Sequence, residues 1–206
     1  MPHVSLNDLI AGVCSGDRLI SFPTDTVPAL ASRPDRAELI FVAKQRSLDK
    51  PLILMAATVA DLWQYTTGTP AVQLVWQRMA KRYLPGALTM VLPASDLVPP
   101  ALNPKDPTTI GLRVPEHAIA RAILSKTGPL ATTSANRSGQ PPLQTMPEIE
   151  AEFPDVLTLH PTELAALYAS SSPTAPTLGI PSTVVRWRGD GWEVLRQGAI
   201  VLEDVL

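Results

Sequence analysis

The sequence is short of the groups on which much enzyme chemistry rests. Its 206 residues include one cysteine and three histidines. Cys14 has no partner for an internal disulfide, and His3, His117 and His160 are too scattered to join it in a zinc site of usual spacing. No Gly-x-Ser-x-Gly elbow, no Cys/His nucleophile pair, no P-loop and no Gly-x-Gly-x-x-Gly turn occurs, which argues against a covalent hydrolase and a Rossmann dehydrogenase. Charged residues make up only 17% and the formal net charge is −2, so the surface as a whole is not built to cling to nucleic acid, although a local basic cleft is compatible with it. No apolar run is long enough to span a bilayer, and Met1-Pro2-His3 leads into an amphipathic segment with neither a basic nor an apolar leader region. The expectation is a cytoplasmic protein with no membrane association.

Hydrophobic residues make up 45%, enough for a compact globule, and the length suits a single domain over 1–206. Ser5 caps a helical pattern in which Leu6, Leu9, Ile10, Val13 and Cys14 share the apolar side, with Gly16 as its stop. Cys14 is thereby expected to be buried, and the three histidines to lie at the surface. A strand over 18–22 follows, then a helix capped by Asp35 that places Lys44 at its C-terminal end. A buried strand over 52–56 precedes a short helix over 58–62. Thr69-Pro70 opens a longer helix with a stripe of Val72, Val75, Trp76, Met79 and Tyr83. Strands over 88–92, 109–114 and 130–134 alternate with a helix over 117–126, and Asp190-Gly191 joins strands 183–188 and 192–196 as a hairpin. Helices and strands in this order imply an α/β fold, a mixed sheet flanked by helices. The Ser/Pro/Thr-rich stretch 170–180 is either a flexible surface loop or a lid.

Several polar clusters fall where open α/β sheets place ligands. Pro23-Thr24-Asp25-Thr26 directly follows a strand, and is either a side-chain-bonded turn or part of a site. Lys44-Gln45-Arg46 with Lys50 gathers cations after a helix, where they complement its dipole or face an anion. Arg113, in an apolar strand, either meets solvent at an edge or projects into a cleft to pair with carboxylate or phosphate. Thr132-Thr133-Ser134-Ala135-Asn136 and Pro181-Ser182-Thr183 offer clustered N–H and O–H donors, or simply turn the chain.

The motifs Pro-Thr-Asp-Thr-Val, Lys-Gln-Arg-Ser, Asp-Lys-Pro-Leu-Ile-Leu, Leu-Pro-Gly-Ala-Leu-Thr, Gly-Leu-Arg-Val-Pro, Thr-Ser-Ala-Asn-Arg-Ser-Gly, Pro-Ser-Thr-Val-Val and Leu-Arg-Gln-Gly occur in the order seen in the YrdC/TsaC family. The resemblance covers about residues 5–200. It implies a YrdC-like twisted mixed sheet with a concave basic cleft, and a threonylcarbamoyl-AMP synthase of the short type. Such an enzyme joins L-threonine, bicarbonate and Mg²⁺-ATP into threonylcarbamoyl-adenylate and pyrophosphate for tRNA modification. Carried over by position, Thr24, Arg113, Thr132 and Ser182 would contact threonine. Lys44, Arg46, Lys50, Thr109, Ser134, Asn136 and Arg196 would hold ATP, with Lys44 and Arg46 neutralising the leaving pyrophosphate. No protein metal ligand is implied. A threonylcarbamoyl-transferase complex downstream and tRNA or double-stranded RNA are further implied partners.

Two departures mark this chain. Val27-Pro28-Ala29-Leu30-Ala31 replaces the Val-Tyr-Gly-Leu-Gly of many members, and Met55 stands where longer members carry a histidine. A non-catalytic RNA-binding or ribosome-maturation module of the same fold is the alternative, since a cationic cleft also suits a phosphate backbone. A related carbamoyl-adenylate enzyme acting on another amine or carbamoyl donor is a third reading.

Overall fold

A computed structural model describes residues 3–170 and 179–202. β1 (His3–Val4) leads to α1 (Leu6–Ser15), which starts where the Ser5 hydroxyl accepts the Asp8 N–H and stops at Gly16, φ 87°. β2 (Ile20–Phe22) and β3 (Ala29–Ser32) form an antiparallel pair around the Pro-Thr-Asp-Thr turn, and α2 (Glu38–Lys44) follows a single 3-10 turn over Pro34–Arg36. Asp35 therefore lies in that turn and does not cap α2, whose preceding residue, Ala37, offers no side-chain acceptor. β4 (Ile53–Met55) comes next. The helix expected over 58–62 is absent. The Thr58 and Asp61 side chains bond each other and each other's backbone N–H groups, closing a local turn that ends in a 3-10 turn at Trp63–Tyr65.

α3 (Pro70–Tyr83) is capped by Thr69 as expected, and β5 (Leu88–Pro93) and β6 (Thr109–Arg113) precede α4 (Ala118–Thr127). β7 (Leu130–Ser134), α5 (Met146–Glu152), β8 (Thr158–Leu159), α6 (Pro161–Ser170), β9 (Thr183–Trp187) and β10 (Trp192–Arg196) complete the order. His117 corrects the expectation of a surface histidine. It is 2% exposed because its Nδ1 accepts the Ala120 N–H as the N-cap of α4, with Nε2 3.4 Å from the Tyr168 hydroxyl. Cys14 corrects the opposite error. The seam of α1 that packs inward is Leu9 and Val13, and Cys14 is rotated out of it into solvent.

The main sheet has the order β10-β9-β5-β6-β4-β7-β3-β2, with β4/β6 and β5/β9 parallel and the other neighbours antiparallel. This is the mixed, helix-flanked sheet that the pattern implies. β1 and β8 form a separate parallel pair, and Leu157 bonds across to Leu19 and Ser21 beside the β2 edge.

Side chains alternate across each strand. Leu54, Leu88, Met90, Ile110, Leu112, Ala131 and Val185 point to one face and pack with Ile40, Phe41, Trp76 and Met79 of α2 and α3. On the other face, Ile20, Phe22, Ala31, Met55 and Leu130 are covered by Leu9 and Val13 of α1 and Ile119, Ile123 and Leu124 of α4. That cover extends over only part of the face. Over β5, β6 and β9 the same-facing positions line a cleft to which, among the described residues, no α-helix contributes a side chain.

Gly111 is central to this floor. A Cβ there would lie 2.7 Å from Ile53 Cγ2 and 3.4 Å from Thr89 Cγ2. Gly111→Ala is therefore expected to lower unfolding free energy by about 1–3 kcal/mol through overpacking. The same change in an Ile53→Ala background should cost much less, as read by urea denaturation of all four proteins.

Candidate active site

The cleft has a volume of about 640 Å³, inside the roughly 300–1,000 Å³ typical of small-molecule sites. Its floor follows strand periodicity: Thr89 and Val91, Thr109, Gly111 and Arg113, Thr132 and Ser134, Ser182, Val184 and Arg186. Six cationic side chains line it, Arg46, Lys50, Lys105, Arg113, Arg186 and Arg196, against two carboxylates, Asp49 and Asp106. A chain of net charge −2 has thus concentrated positive charge in one concavity.

At one end Arg113, 4% exposed, points into the cleft and away from any solvated edge, which resolves the ambiguity of its strand. Its Nη2 donates to Asp25 Oδ1 at 2.7 Å and its Nε to the Gly86 carbonyl at 3.2 Å. Burial lowers the guanidinium pKa and the Asp25 carboxylate opposes that shift. Asp25 itself is 3% exposed, so each charge depends on the other. Thr24 sits behind this pair and not in the cleft lining. Its hydroxyl donates to the Val27 carbonyl at 2.8 Å and accepts the Thr26 N–H, shaping the turn that presents Asp25, Thr26 and Val27. Thr132 and Ser182 do line the cleft, and the Ser182 hydroxyl lies 2.8 Å from that of Thr89.

Arg196 grips the Ser182 carbonyl through Nε and Nη2 at 3.2 and 2.7 Å, and burial lowers its pKa. The turn after it presses on the same segment. A Cβ on Gly198 would sit 2.3 Å from the Pro181 carbonyl oxygen, while the N–H groups of Gly198 and Ile200 both bond the Thr183 hydroxyl. Residues 171–178, most of the loop singled out in the sequence, lie outside the described residues. Gly179, just beyond, donates to the Thr26 carbonyl at 2.9 Å.

At the other end Thr109, Ser134, Arg46 and Lys50 line the cleft, while Lys44 and Asn136 lie one layer back. Lys44 is 1% exposed, and its ammonium donates to the carbonyls of Ser134 and Asn136 and to Asn136 Oδ1. Burial, then the charges of Arg46 and Lys50, push its pKa down to about 7. Three oxygen acceptors pull the other way, because a neutral amine would turn a lone pair toward one of them, and the geometry favours the ammonium. Asn136 passes the restraint on, accepting from the Ser134 hydroxyl at 2.6 Å and donating to the carbonyls of Arg137 and Gln140. Arg46 is braced by the carbonyls of Lys50 and Pro51.

Of the eleven residues singled out in the sequence, eight line one cleft, and Thr24, Lys44 and Asn136 support it from behind. Sequence reasoning gave no role to Asp25, Thr89, Lys105, Asp106 or Arg186. The two-residue period from Ser182 through Val184 points to Arg186, and Asp25 lies inside a motif read as either a turn or part of a site.

Lys44→Met removes a charged donor from three inward-facing oxygens, of which the Ser134 carbonyl keeps the Asn136 N–H and Asn136 Oδ1 keeps the Ser134 hydroxyl, and is expected to cost about 1–3 kcal/mol of stability. Amide exchange in 134–140 should accelerate more than in β5 or β6. Uniform acceleration across the sheet would show that Lys44 does not specifically brace this loop.

A family model named Sua5/YciO/YrdC and described as "Telomere recombination" matches residues 13–198. The chain is 31% identical over 202 residues to a Bacillus subtilis (strain 168) protein named threonylcarbamoyl-AMP synthase, covering 95% of this chain and 54% of that one. It is 33% identical over 159 residues to an Escherichia coli K12 protein of the same name, covering 73% of this chain and 80% of the relative. Among solved structures, P. abyssi Sua5 complexed with L-threonine matches with a TM-score of 0.77 at 27% identity, across 94% of this chain and 54% of that one. The chain thus spans about half the length of the Bacillus and P. abyssi relatives it matches.

Proposed function

The chain belongs to the Sua5/YciO/YrdC family, and we infer that it is a threonylcarbamoyl-AMP synthase, making threonylcarbamoyl-adenylate and pyrophosphate from L-threonine, bicarbonate and ATP. The observation that carries this reading is the Asp25–Arg113 pair, set among hydroxyls at one end of a cleft whose other walls are cationic. An arginine fork held by a buried carboxylate is a rigid anchor for an amino-acid carboxylate, and the neighbouring cations suit a polyphosphate. The threonine-bound P. abyssi relative and the names of the Bacillus and Escherichia coli proteins support the same assignment.

On this reading Arg113 binds the threonine carboxylate, and Thr132 and Ser182 surround the side-chain hydroxyl. The threonine amine takes up the carbon of bicarbonate, losing water, to form a carbamate. A carbamate oxygen then attacks the α-phosphorus of ATP, and the bond to the bridging oxygen of pyrophosphate breaks. No protein nucleophile enters, so positioning and charge neutralisation carry the rate. Arg46, Lys50 and Arg196 line the cleft, and on this reading their charges meet the phosphates. Lys44, Ser134 and Asn136 hold the loop against which they lie. Mg²⁺ arrives as part of the Mg-ATP substrate. The labile product passes to a threonylcarbamoyl-transferase complex acting on tRNA, which sets the protein in the cytoplasm.

Pyrophosphate release by the purified protein tests this. Release is expected only with Mg-ATP, threonine and bicarbonate together, and Arg46→Ala should slow it by about 2–4 kcal/mol in transition-state terms. Arg113→Lys should raise the KM for threonine at least tenfold with little change for ATP, since an ammonium cannot reproduce the fork. A folded protein that releases no pyrophosphate but binds RNA with steep salt dependence would overturn the reading in favour of an RNA-binding module.

A further inference from the structure

Asp106 and Arg186 stand outside the set that the proposed function uses, yet both line the nucleotide end of the cleft. Arg186 lies on β9 and Asp106 in the loop before β6, so β5 runs between them. Cα pairing sets Arg186 opposite Val91, and Val91 opposite Gly111. The Arg186 side chain therefore reaches over Val91, across the floor of the cleft, to place Nη2 3.2 Å from Asp106 Oδ2. The same oxygen accepts from the Thr109 hydroxyl at 3.2 Å, and Thr109 in turn accepts from Asn103 Nδ2 at 3.1 Å. Asp106 Oδ1 takes the Thr108 hydroxyl, and these hydroxyl donors and Arg186 hold the carboxyl below its usual pKa.

One carboxylate oxygen thus occupies the point where a guanidinium and a threonine hydroxyl converge, the donor set that a phosphate oxygen takes. Other charges around it are Lys105, Arg46, Lys50 and Asp49. The ion pair is a loose one: its side chains keep 30% and 41% of their exposure, and single exposed pairs hold weakly. An incoming dianion with three oxygens competes well against one such carboxylate.

We propose that Arg186 is a further anion-binding residue of this cleft, contacting a phosphate of the nucleotide, and that Asp106 is its built-in competitor, displaced when that phosphate enters. The proposal rests on the nucleotide reading of the site. It makes Arg186 a determinant of affinity for the phosphates, and Asp106 a brake on binding of any anion too weakly charged to displace it.

A purely structural ion pair and a competitor make opposite demands. If the pair only braces the cleft wall, Arg186→Gln and Asp106→Asn both loosen it and both weaken binding. If Asp106 competes with the ligand, the two changes act with opposite sign. The experiment is isothermal titration of wild type, Arg186→Gln, Asp106→Asn and the double variant with Mg-ATP and, separately, with magnesium pyrophosphate, alongside thermal melting to confirm folding. Arg186→Gln is expected to weaken Mg-ATP binding about tenfold, Asp106→Asn to tighten it about three- to tenfold, and the double variant to resemble Arg186→Gln. Weakening by both single changes, or no effect of Arg186→Gln while wild type binds Mg-ATP, would overturn the proposal and leave the synthase reading standing. Opposite signs with pyrophosphate but no binding of Mg-ATP would uphold the anion contact and overturn the nucleotide reading. A wild-type protein that binds neither would sink both.

Discussion

The protein depends on an incomplete burial. A sheet with an apolar face must cover it, and here one face is packed by α2 and α3 together with Leu62, Val98, Leu102 and Ile149, while on the other α1 and α4 pack over the β2, β3 and β7 end. Where the roof stops, the side chains that point the same way change character, from Ile20, Ala31 and Leu130 to Thr132, Ser134, Thr109 and Arg113. The cleft is therefore a continuation of the core by the same two-residue periodicity, with hydroxyls and cations substituted for hydrocarbon.

Such a floor needs its charges to be oriented, and the protein does this by pairing them internally. Arg113 is held by Asp25, Arg196 by the Ser182 carbonyl, Arg46 by the carbonyls of Lys50 and Pro51, and Arg186 by Asp106. These differ in permanence. The Asp25–Arg113 pair is buried on both sides, so removing either partner strands a charge, whereas the Arg186–Asp106 pair is open to solvent and can exchange. Rigid and exchangeable contacts thus occupy opposite ends of the same cleft. This division suits a site that fixes a small amino acid at one end and admits and releases a polyphosphate at the other.

Much of this was legible in the sequence because the strands carrying the site are apolar and sharply bounded. β7 falls on the residues expected, and β5, β6 and β9 differ by a residue at one end. β3 was not foreseen because Ala29-Leu30-Ala31-Ser32 has none of the β-branched or aromatic residues that mark strands. It forms because β2 and β7 flank it on both sides. α5 was missed despite a readable signal, the Thr145/Glu148 capping box. Lys44 shows the harder limit. Its place at the end of α2 was evident, but that its ammonium turns inward to three oxygens depends on where a loop ninety residues later returns, which no local pattern encodes.

The turn at Gly198 and the grip of Arg196 on Ser182 mean that the far wall of the cleft is assembled from the two last strands described, against a turn at Thr26 that is among the first. Contacts so distant in sequence carry a large loop-closure entropy, which the rest of the sheet must offset. Occupancy of the cleft therefore reports on the whole sheet and not on a local loop. Whatever binds there ties one end of the chain to the other and shifts the folding equilibrium of the entire molecule.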